Sequence, residues 1–226
     1  ALLTLVLSLT SFVGCSHFDQ SLGRKNLAID QLWARDTTKS DYMGFRRMNR
    51  ATPVVTDRLV IQANAIDGIT AYSRDNGDLQ WSLSVRGGVE AGVTANGDRL
   101  YFGASDGMFY SVNINTGKIL WSFPMRAETL ALPTVEGSNV YVLGGNDVLY
   151  CLDKESGKQI WVYNRQSSST LSIRAGSRPT VDGESVYVGF SDGFVASLRR
   201  KDGGLNWERK LSKNLRFKDV DTTPLV

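Results

Sequence analysis

Residues 91–121 read AGVTANGDRLYFGASDGMFYSVNINTGKILW, and this stretch decides the fold of the chain. It carries three turn signals, at Asn96-Gly97, at Asp106-Gly107 and at Gly117. Glycine and Asn or Asp residues tolerate the positive φ that tight hairpins need. The runs between the turns are rich in β-branched and aromatic residues, which favour strands. The stretch therefore predicts four short antiparallel strands.

The same pattern occurs three more times, and every copy ends on a tryptophan. The copies are residues 52–81, 132–161 and 178–207, so their tryptophans lie 40 to 46 residues apart. Such a period is typical of a propeller blade or of a helical repeat. No window shows a sustained helical period, so we predict an all-β protein, a β-propeller of about four four-stranded antiparallel blades. The predicted blades end at Trp81, Trp121, Trp161 and Trp207.

The partial propeller, which we place at 29–226, carries unpaired pieces of the repeat at both ends. Trp33 belongs to a run near 31–36 that resembles a fourth strand without its first three. Such a strand commonly closes a propeller ring. Residues 222–226 match the first strand of a fifth blade. Missing blades are implied, and we expect a truncated chain, with two chains that build one ring as the alternative.

The N-terminal segment predicts export and a lipid anchor. Residues 1–14 carry no charge and run directly into Cys15, as the apolar region of a signal peptide does when its basic n-region is missing. Phe12–Cys15 resembles a lipobox, which makes Cys15 the predicted lipidation site and 15–28 a tether. The alternative is an ordinary signal peptide with an incidental cysteine. If Cys15 is acylated, Cys151 has no disulfide partner, and we interpret it as a buried structural residue.

Composition and charge exclude several functions. The net charge is +3, and the basic residues form no cluster dense enough for nucleic acid. The one histidine, His17, precedes the predicted propeller, so histidine-based metal or acid–base chemistry is not expected there. The Asp-Gly pairs lack a carboxylate-dense loop, which indicates turns and not calcium sites. We predict no catalytic residue, no cofactor and no metal.

Residues 105–110 (SDGMFY) and 115–121 (NTGKILW) resemble the pyrroloquinoline-quinone-type repeat. That repeat occurs in quinone-dependent dehydrogenases and in binding proteins without a cofactor, so the fold alone does not decide the function. The dehydrogenases resemble each other in having a pair of adjacent cysteines, whereas Cys15 and Cys151 are far apart. The sequence therefore favours a binding protein, with a dehydrogenase fragment as the alternative.

Two shorter segments, 170–174 (TLSIR) and 219–224 (DVDTTP), resemble the BamB family of propeller lipoproteins. The resemblance implies half of an eight-bladed, non-catalytic periplasmic scaffold, anchored in the outer membrane as part of the β-barrel assembly complex. It further implies binding to the soluble repeats of BamA, to other complex subunits and to unfolded outer-membrane proteins. The implied BamA contacts are Leu171, Ile173, Arg174, Asp219 and Asp221, with Ile173 in place of a leucine.

The connections between blades agree with that resemblance. The links after Trp161 and Trp207 span 18 and 17 residues before the next proline, against 12 after Trp121. Equivalent positions on adjacent blades project from one face, so both long links are predicted side by side. Apolar anchors with an arginine are typical of an interface centre. Two alternatives stay open: Arg174 and the aspartates only tie the links together, or the chain is a scaffold of another envelope complex.

Overall fold

The computed structural model describes residues 30–37, 50–165, 176–211, 220 and 222–226. Residues 32–226 belong to one structural unit. Of residues 1–31, only Asp30 and Gln31 are described, and both are exposed. The described residues contain sixteen β-strands and no helix, so the predicted all-β class is confirmed.

The strands form four antiparallel sheets of four strands each, which we number as blades 1 to 4. Blade 1 contains β1 (Val54–Val55), β2 (Leu59–Asn64), β3 (Gly68–Ser73) and β4 (Leu79–Ser84). Blade 2 contains β5 (Thr94–Asn96), β6 (Arg99–Gly103), β7 (Met108–Asn113) and β8 (Ile119–Pro124). Blade 3 contains β9 (Thr134–Glu136), β10 (Asn139–Leu143), β11 (Val148–Asp153) and β12 (Gln159–Asn164). Blade 4 contains β13 (Thr180–Asp182), β14 (Ser185–Gly189), β15 (Phe194–Arg199) and β16 (Leu205–Lys210).

Within every blade each strand pairs with the next one along the chain, so the blades have two distinct ends. One end carries the turn between the second and third strands together with the connections between blades, and we call it the link face. The other end, the opposite face, carries the two remaining turns. In blade 2, for example, Asn96 pairs with Arg99 around the turn at Gly97 on the opposite face.

Side chains of the middle strands fill the spaces between neighbouring blades. One buried cluster joins blades 1 and 2, a second joins blades 2 and 3, and a third joins blades 3 and 4. The inner strand β9 lies next to both β5 and β13, so the first strands surround a common axis. Radially stacked sheets of this kind form a β-propeller, as predicted. Among the largest fully buried side chains are Ile61, Tyr101, Phe102, Phe109, Tyr141 and Phe190.

The tryptophan of each blade packs against a glycine of the next blade. Trp81 lies on Gly117, and a Cβ placed on that glycine would be 2.5 Å from Trp81 Cε3. The Nε1 of Trp81 donates a hydrogen bond of 3.0 Å to the carbonyl oxygen of Ile114 in the same turn. The equivalent contacts are those of Trp121 with Gly157 and Lys154, and those of Trp161 with Gly203 and Arg200. These three tryptophans are wedges between neighbouring blades.

Trp33 makes the same contacts with blade 1. A Cβ on Gly77 would lie 2.7 Å from Trp33 Cδ2, and Trp33 Nε1 donates to the Arg74 carbonyl at 2.8 Å. Residues 30–37 form no strand with any other described residue, so the closing strand near 31–36 stays a prediction. At the far end, Trp207 is 41% exposed because no described glycine covers it.

Threonines at the start of the inner strands join the blades around the axis. Each hydroxyl donates a hydrogen bond to the carbonyl of a proline 39 to 45 residues further along the chain, and in the first two pairs that proline precedes the next inner strand. The pairs, donor first, are Thr94 with Pro133, Thr134 with Pro179 and Thr180 with Pro224. Pro224 therefore accepts a hydrogen bond from blade 4 in the same way that Pro179 accepts one from blade 3. The assignment of 222–226 to a fifth blade stays a prediction.

Gly117→Ala should destabilise the fold more than Gly97→Ala. Both glycines have positive φ, +69° and +60°. Alanine at either position costs about 1 kcal/mol of backbone strain. Nothing lies within 4 Å of a Cβ on Gly97, whereas a Cβ on Gly117 overlaps Trp81 and costs about 1–3 kcal/mol more. Urea unfolding measures the difference, and equal losses for the two variants would contradict the wedge role.

Candidate functional site

The residues implied as BamA contacts lie outside those that the structure describes. These residues are Leu171, Ile173, Arg174, Asp219 and Asp221, and Cys15 also lies outside. The structure does describe the ends of the two long connections that contain these implied contact residues. The first connection leaves blade 3 at Arg165 and is described again from Gly176; the second leaves blade 4 at Leu211 and is described again at Val220 and Thr222.

Both connections start beside the turn between β14 and β15. Arg165, directly after β12, forms an ion pair of 2.6 Å with Asp192 in that turn and another of 2.6 Å with Glu208 on β16. Leu211, directly after β16, donates its backbone N–H to the Gly193 carbonyl at 2.8 Å. One turn of blade 4 therefore holds the first residue of each connection.

The described ends of the two connections are bonded to each other. Ser177 is fully buried, and its hydroxyl donates to the Thr222 carbonyl at 2.8 Å. Val220 donates its backbone N–H to the Phe190 carbonyl at 3.1 Å. The Val220 side chain packs directly on Gly189, where any Cβ would overlap it. The end residues of both connections thus lie together on the link face of blade 4.

Asp147 provides a further tie between blades 3 and 4. Its position in the turn between the second and third strands is a glycine in the other blades, and Asp147 keeps the left-handed backbone, with φ +58°. Its buried carboxylate accepts a hydrogen bond of 3.0 Å from the Ser191 N–H and a second one from the Ser191 hydroxyl. A non-glycine residue at positive φ is strained, and such strain persists where the surrounding contacts maintain it. Here the contact with the next blade does so.

The guanidinium of Arg165 is held by aromatic rings as well as by carboxylates. Its Cζ lies 4.3 Å from the ring centroid of Phe194 and 5.4 Å from that of Phe190. Burial lowers the pKa of Arg165, but its hydrogen bonds to Glu208 and Asp192 raise it more, so the pKa lies above its ordinary value. The equivalent residues of the other blades are Val85, Met125 and Leu211. Sequence reasoning missed Arg165, although a charge at an otherwise apolar repeat position is a readable signal.

Arg165→Met should destabilise the protein by about 1–3 kcal/mol, because it leaves the partly buried carboxylates of Asp192 and Glu208 without their cation. Arg199→Met is the matched control. The Arg199–Asp202 pair is 55% and 54% exposed, and such pairs contribute at most about 1 kcal/mol. Urea unfolding compares the two variants. A loss for Arg165→Met no larger than for Arg199→Met would show that the ion pairs do not hold the start of the connection.

The link face also carries a cleft of about 410 Å³ between blades 2 and 3. Asp106 and Arg126 line one side, and Asn146 lines the other. Asp106 accepts a hydrogen bond of 2.6 Å from the Tyr110 hydroxyl. Burial raises the pKa of Tyr110, and the bond to Asp106 raises it further. The sequence did not predict this cleft, because its walls come from different repeats.

Within the described ranges, no three His, Cys, Asp or Glu side chains lie close enough together to hold a metal ion. The described part of the chain likewise contains no helix with the length and hydropathy of a membrane span. Cys15 and the residues before it are not among the described ones.

Cys151 should react with Ellman's reagent only after the protein unfolds. Its side chain is fully buried on β11, and burial raises the pKa of the thiol to about 12. Since the thiolate is the reactive form, at about pH 8 the folded protein keeps the group neutral and unreactive. The stability that this neutral thiol contributes is complete below its ordinary pKa of 9.0 and is lost as the pH rises to about 12. Cys15→Ser leaves Cys151 as the only thiol, and equal labelling rates with and without denaturant would contradict its structural role.

Comparison with known proteins identifies the family. The family model described as "Outer membrane protein assembly factor BamB" matches residues 65–226. The chain belongs to the BamB family. BamB of Escherichia coli (strain K12) is 33% identical over 98% of this chain, and BamB of Salmonella typhimurium is 34% identical over 77% of it. The chain spans 62% of the length of the first relative and 48% of the second.

Solved structures share the fold of this BamB-family chain. The crystal structure of BamB from Moraxella catarrhalis superposes with a TM-score of 0.68 at 21% identity, over 80% of this chain and 57% of that one. A europium-containing methanol dehydrogenase gives a TM-score of 0.60 at 14% identity, over 74% of this chain and 42% of that one. Because scaffolds and dehydrogenases share the propeller, these similarities confirm the fold and leave the function to the site.

Proposed function

We propose that this BamB-family chain is a non-catalytic scaffold of the complex that assembles β-barrels in the outer membrane. Its relatives from Escherichia coli and Salmonella typhimurium are outer membrane protein assembly factors. The proposed ligand is the soluble periplasmic repeat segment of BamA, with other complex subunits and unfolded outer-membrane proteins as further partners. The proposed binding surface is the link face of blades 3 and 4.

The observation that carries this proposal is that the two long connections start close together and end close together. Arg165 and Leu211 start them beside one turn of blade 4. The bond between Ser177 and Thr222 joins their ends. Binding residues are often on loops that a rigid scaffold positions, and two loops with neighbouring ends are placed to contact the same partner. The link face of blade 4 therefore supports a single docking surface made of both connections.

The proposed contacts are Leu171, Ile173, Arg174, Asp219 and Asp221. Apolar anchors beside an arginine supply what the centre of a protein interface requires. The two aspartates are the sequence neighbours of Val220. Blade 4 holds Val220 through a hydrogen bond to the Phe190 carbonyl and through packing on Gly189. In this proposal the aspartates orient Arg174 or meet a cation of BamA.

The proposed anchor is a lipid on Cys15 that holds the propeller at the periplasmic face of the outer membrane. Residues 1–14 are the proposed signal peptide and 15–28 the proposed tether. The anchor keeps the scaffold at the surface of the membrane into which β-barrels insert. That confinement raises the local concentration of the docking surface near BamA.

Arg174→Ala and Asp221→Ala should each weaken binding to the BamA repeats by at least about tenfold, because truncating one side of an interface charge pair costs about 2 kcal/mol or more. The matched controls are Arg58→Ala and Asp57→Ala, which remove the same charges from the exposed turn between β1 and β2 on the opposite face. Biolayer interferometry with purified BamA repeats measures all four variants in a soluble Cys15→Ser background.

The outcomes distinguish a wrong set of contact residues from a wrong partner. Equal binding by the wild type and all four variants would reject the proposed contacts and keep BamA as the ligand. A wild-type protein that does not bind the repeats would reject BamA itself. A quinone absorbance that appears on adding calcium and pyrroloquinoline quinone, together with alcohol oxidation, would favour the dehydrogenase fragment instead.

A further inference from the structure

Arg178 lies at the axial end of the link face, next to the joined ends of the two connections. It follows Ser177, which bonds to Thr222, and it precedes Pro179 at the start of the inner strand β13. Its side chain is half-buried. No part of the sequence resemblance assigns it a role.

Among the residues that the structure describes, no carboxylate pairs with the charge of Arg178. Its Nε donates to Thr134 Oγ1 at 3.2 Å, and no Asp or Glu oxygen of the described residues lies within 4.0 Å of its nitrogens. Arg165, at the start of the same connection, has two carboxylate partners. Withdrawing a guanidinium from water without an opposite charge is unfavourable. A ligand that supplies the charge would offset that cost.

The bond to Thr134 also orients the guanidinium. The Thr134 hydroxyl donates its own proton to the Pro179 carbonyl, so its oxygen is fixed as an acceptor for Arg178 Nε. With Nε occupied, the two Nη groups are the donors that remain, and together they match the two oxygens of one carboxylate.

Arg200 shows the contrast on the opposite face of the same two blades. It is also half-buried, but all three of its side-chain nitrogens donate within the protein. Their acceptors are the Tyr141 hydroxyl and the carbonyls of Gly183 and Glu136. Arg200 ties the blades together, whereas the two Nη groups of Arg178 have no acceptor within the described part of the chain.

We propose that Arg178 binds an acidic side chain of the partner at the axial end of the link face. This inference rests on the proposed function, since the partner is the BamA repeat segment. The neighbouring sequence favours an acidic ligand as well. Residues 166–175 contain one cation and no carboxylate, and residues 212–221 contain three cations and two carboxylates, so each connection carries a net positive charge.

The test measures the affinity of purified BamA repeats for three variants of the soluble protein. Arg178→Gln keeps a donor for Thr134 and removes the charge, so binding should weaken about 10- to 100-fold. Arg178→Lys keeps the charge without the paired donors and should lie between Arg178→Gln and the wild type. Arg200→Gln is the matched control, with an affinity within about twofold of the wild type, as expected for a side chain away from the interface. Raising NaCl from about 50 to about 300 mM should weaken the wild type more than Arg178→Gln.

Unfolding midpoints measured in parallel separate a lost contact from a lost fold. If Arg178→Gln is as stable as Arg200→Gln and still binds like the wild type, this inference is overturned and the proposed function stands. If the wild type does not bind the repeats, both are overturned. If Arg178→Gln does not fold, Arg178→Lys decides, and an affinity and salt dependence equal to those of the wild type would overturn the inference.

Discussion

The contact between an indole and the glycine of the next blade determines how this propeller is built. Because the glycine has positive φ and no Cβ, the ring of Trp81 reaches the backbone of the neighbouring turn and bonds to a carbonyl there. Repeated along the chain, this contact fixes the spacing between blades, and the buried clusters fill the space that it leaves. The connections start and end at positions that the spacing sets, so the link face depends on it too.

Polar ties reinforce the junction of blades 3 and 4, where the proposed docking surface is rooted. Asp147 reaches across to Ser191, and Arg165 reaches across to Asp192 and Glu208. A binding surface is only as well ordered as the residues beneath it. The strained turn at Asp147 and the enclosed charge of Arg165 therefore make physical sense at this junction, where the two long connections need a fixed base.

The blades were predictable from the sequence because each turn is a local property of its own residues. The ties between blades were not. Asp192 and Glu208 lie 27 and 43 residues from Arg165, and they become its neighbours only when two blades stack. Asp147 stands out as a non-glycine in a glycine position, but its partner depends on the same stacking. The proposed BamA contacts came from family resemblance and stay predictions, since the described residues frame them without including them.

The indole contacts also have a consequence for how the blades assemble during folding. Each Nε1 bonds to a carbonyl only 33 to 41 residues further along the chain. A blade can therefore dock on its predecessor as soon as its own last turn has formed, without the later blades. Gene duplication can lengthen such a ring by whole units. Every copied unit contains a glycine that packs against the tryptophan of the preceding blade and a tryptophan that packs against the glycine of the following blade.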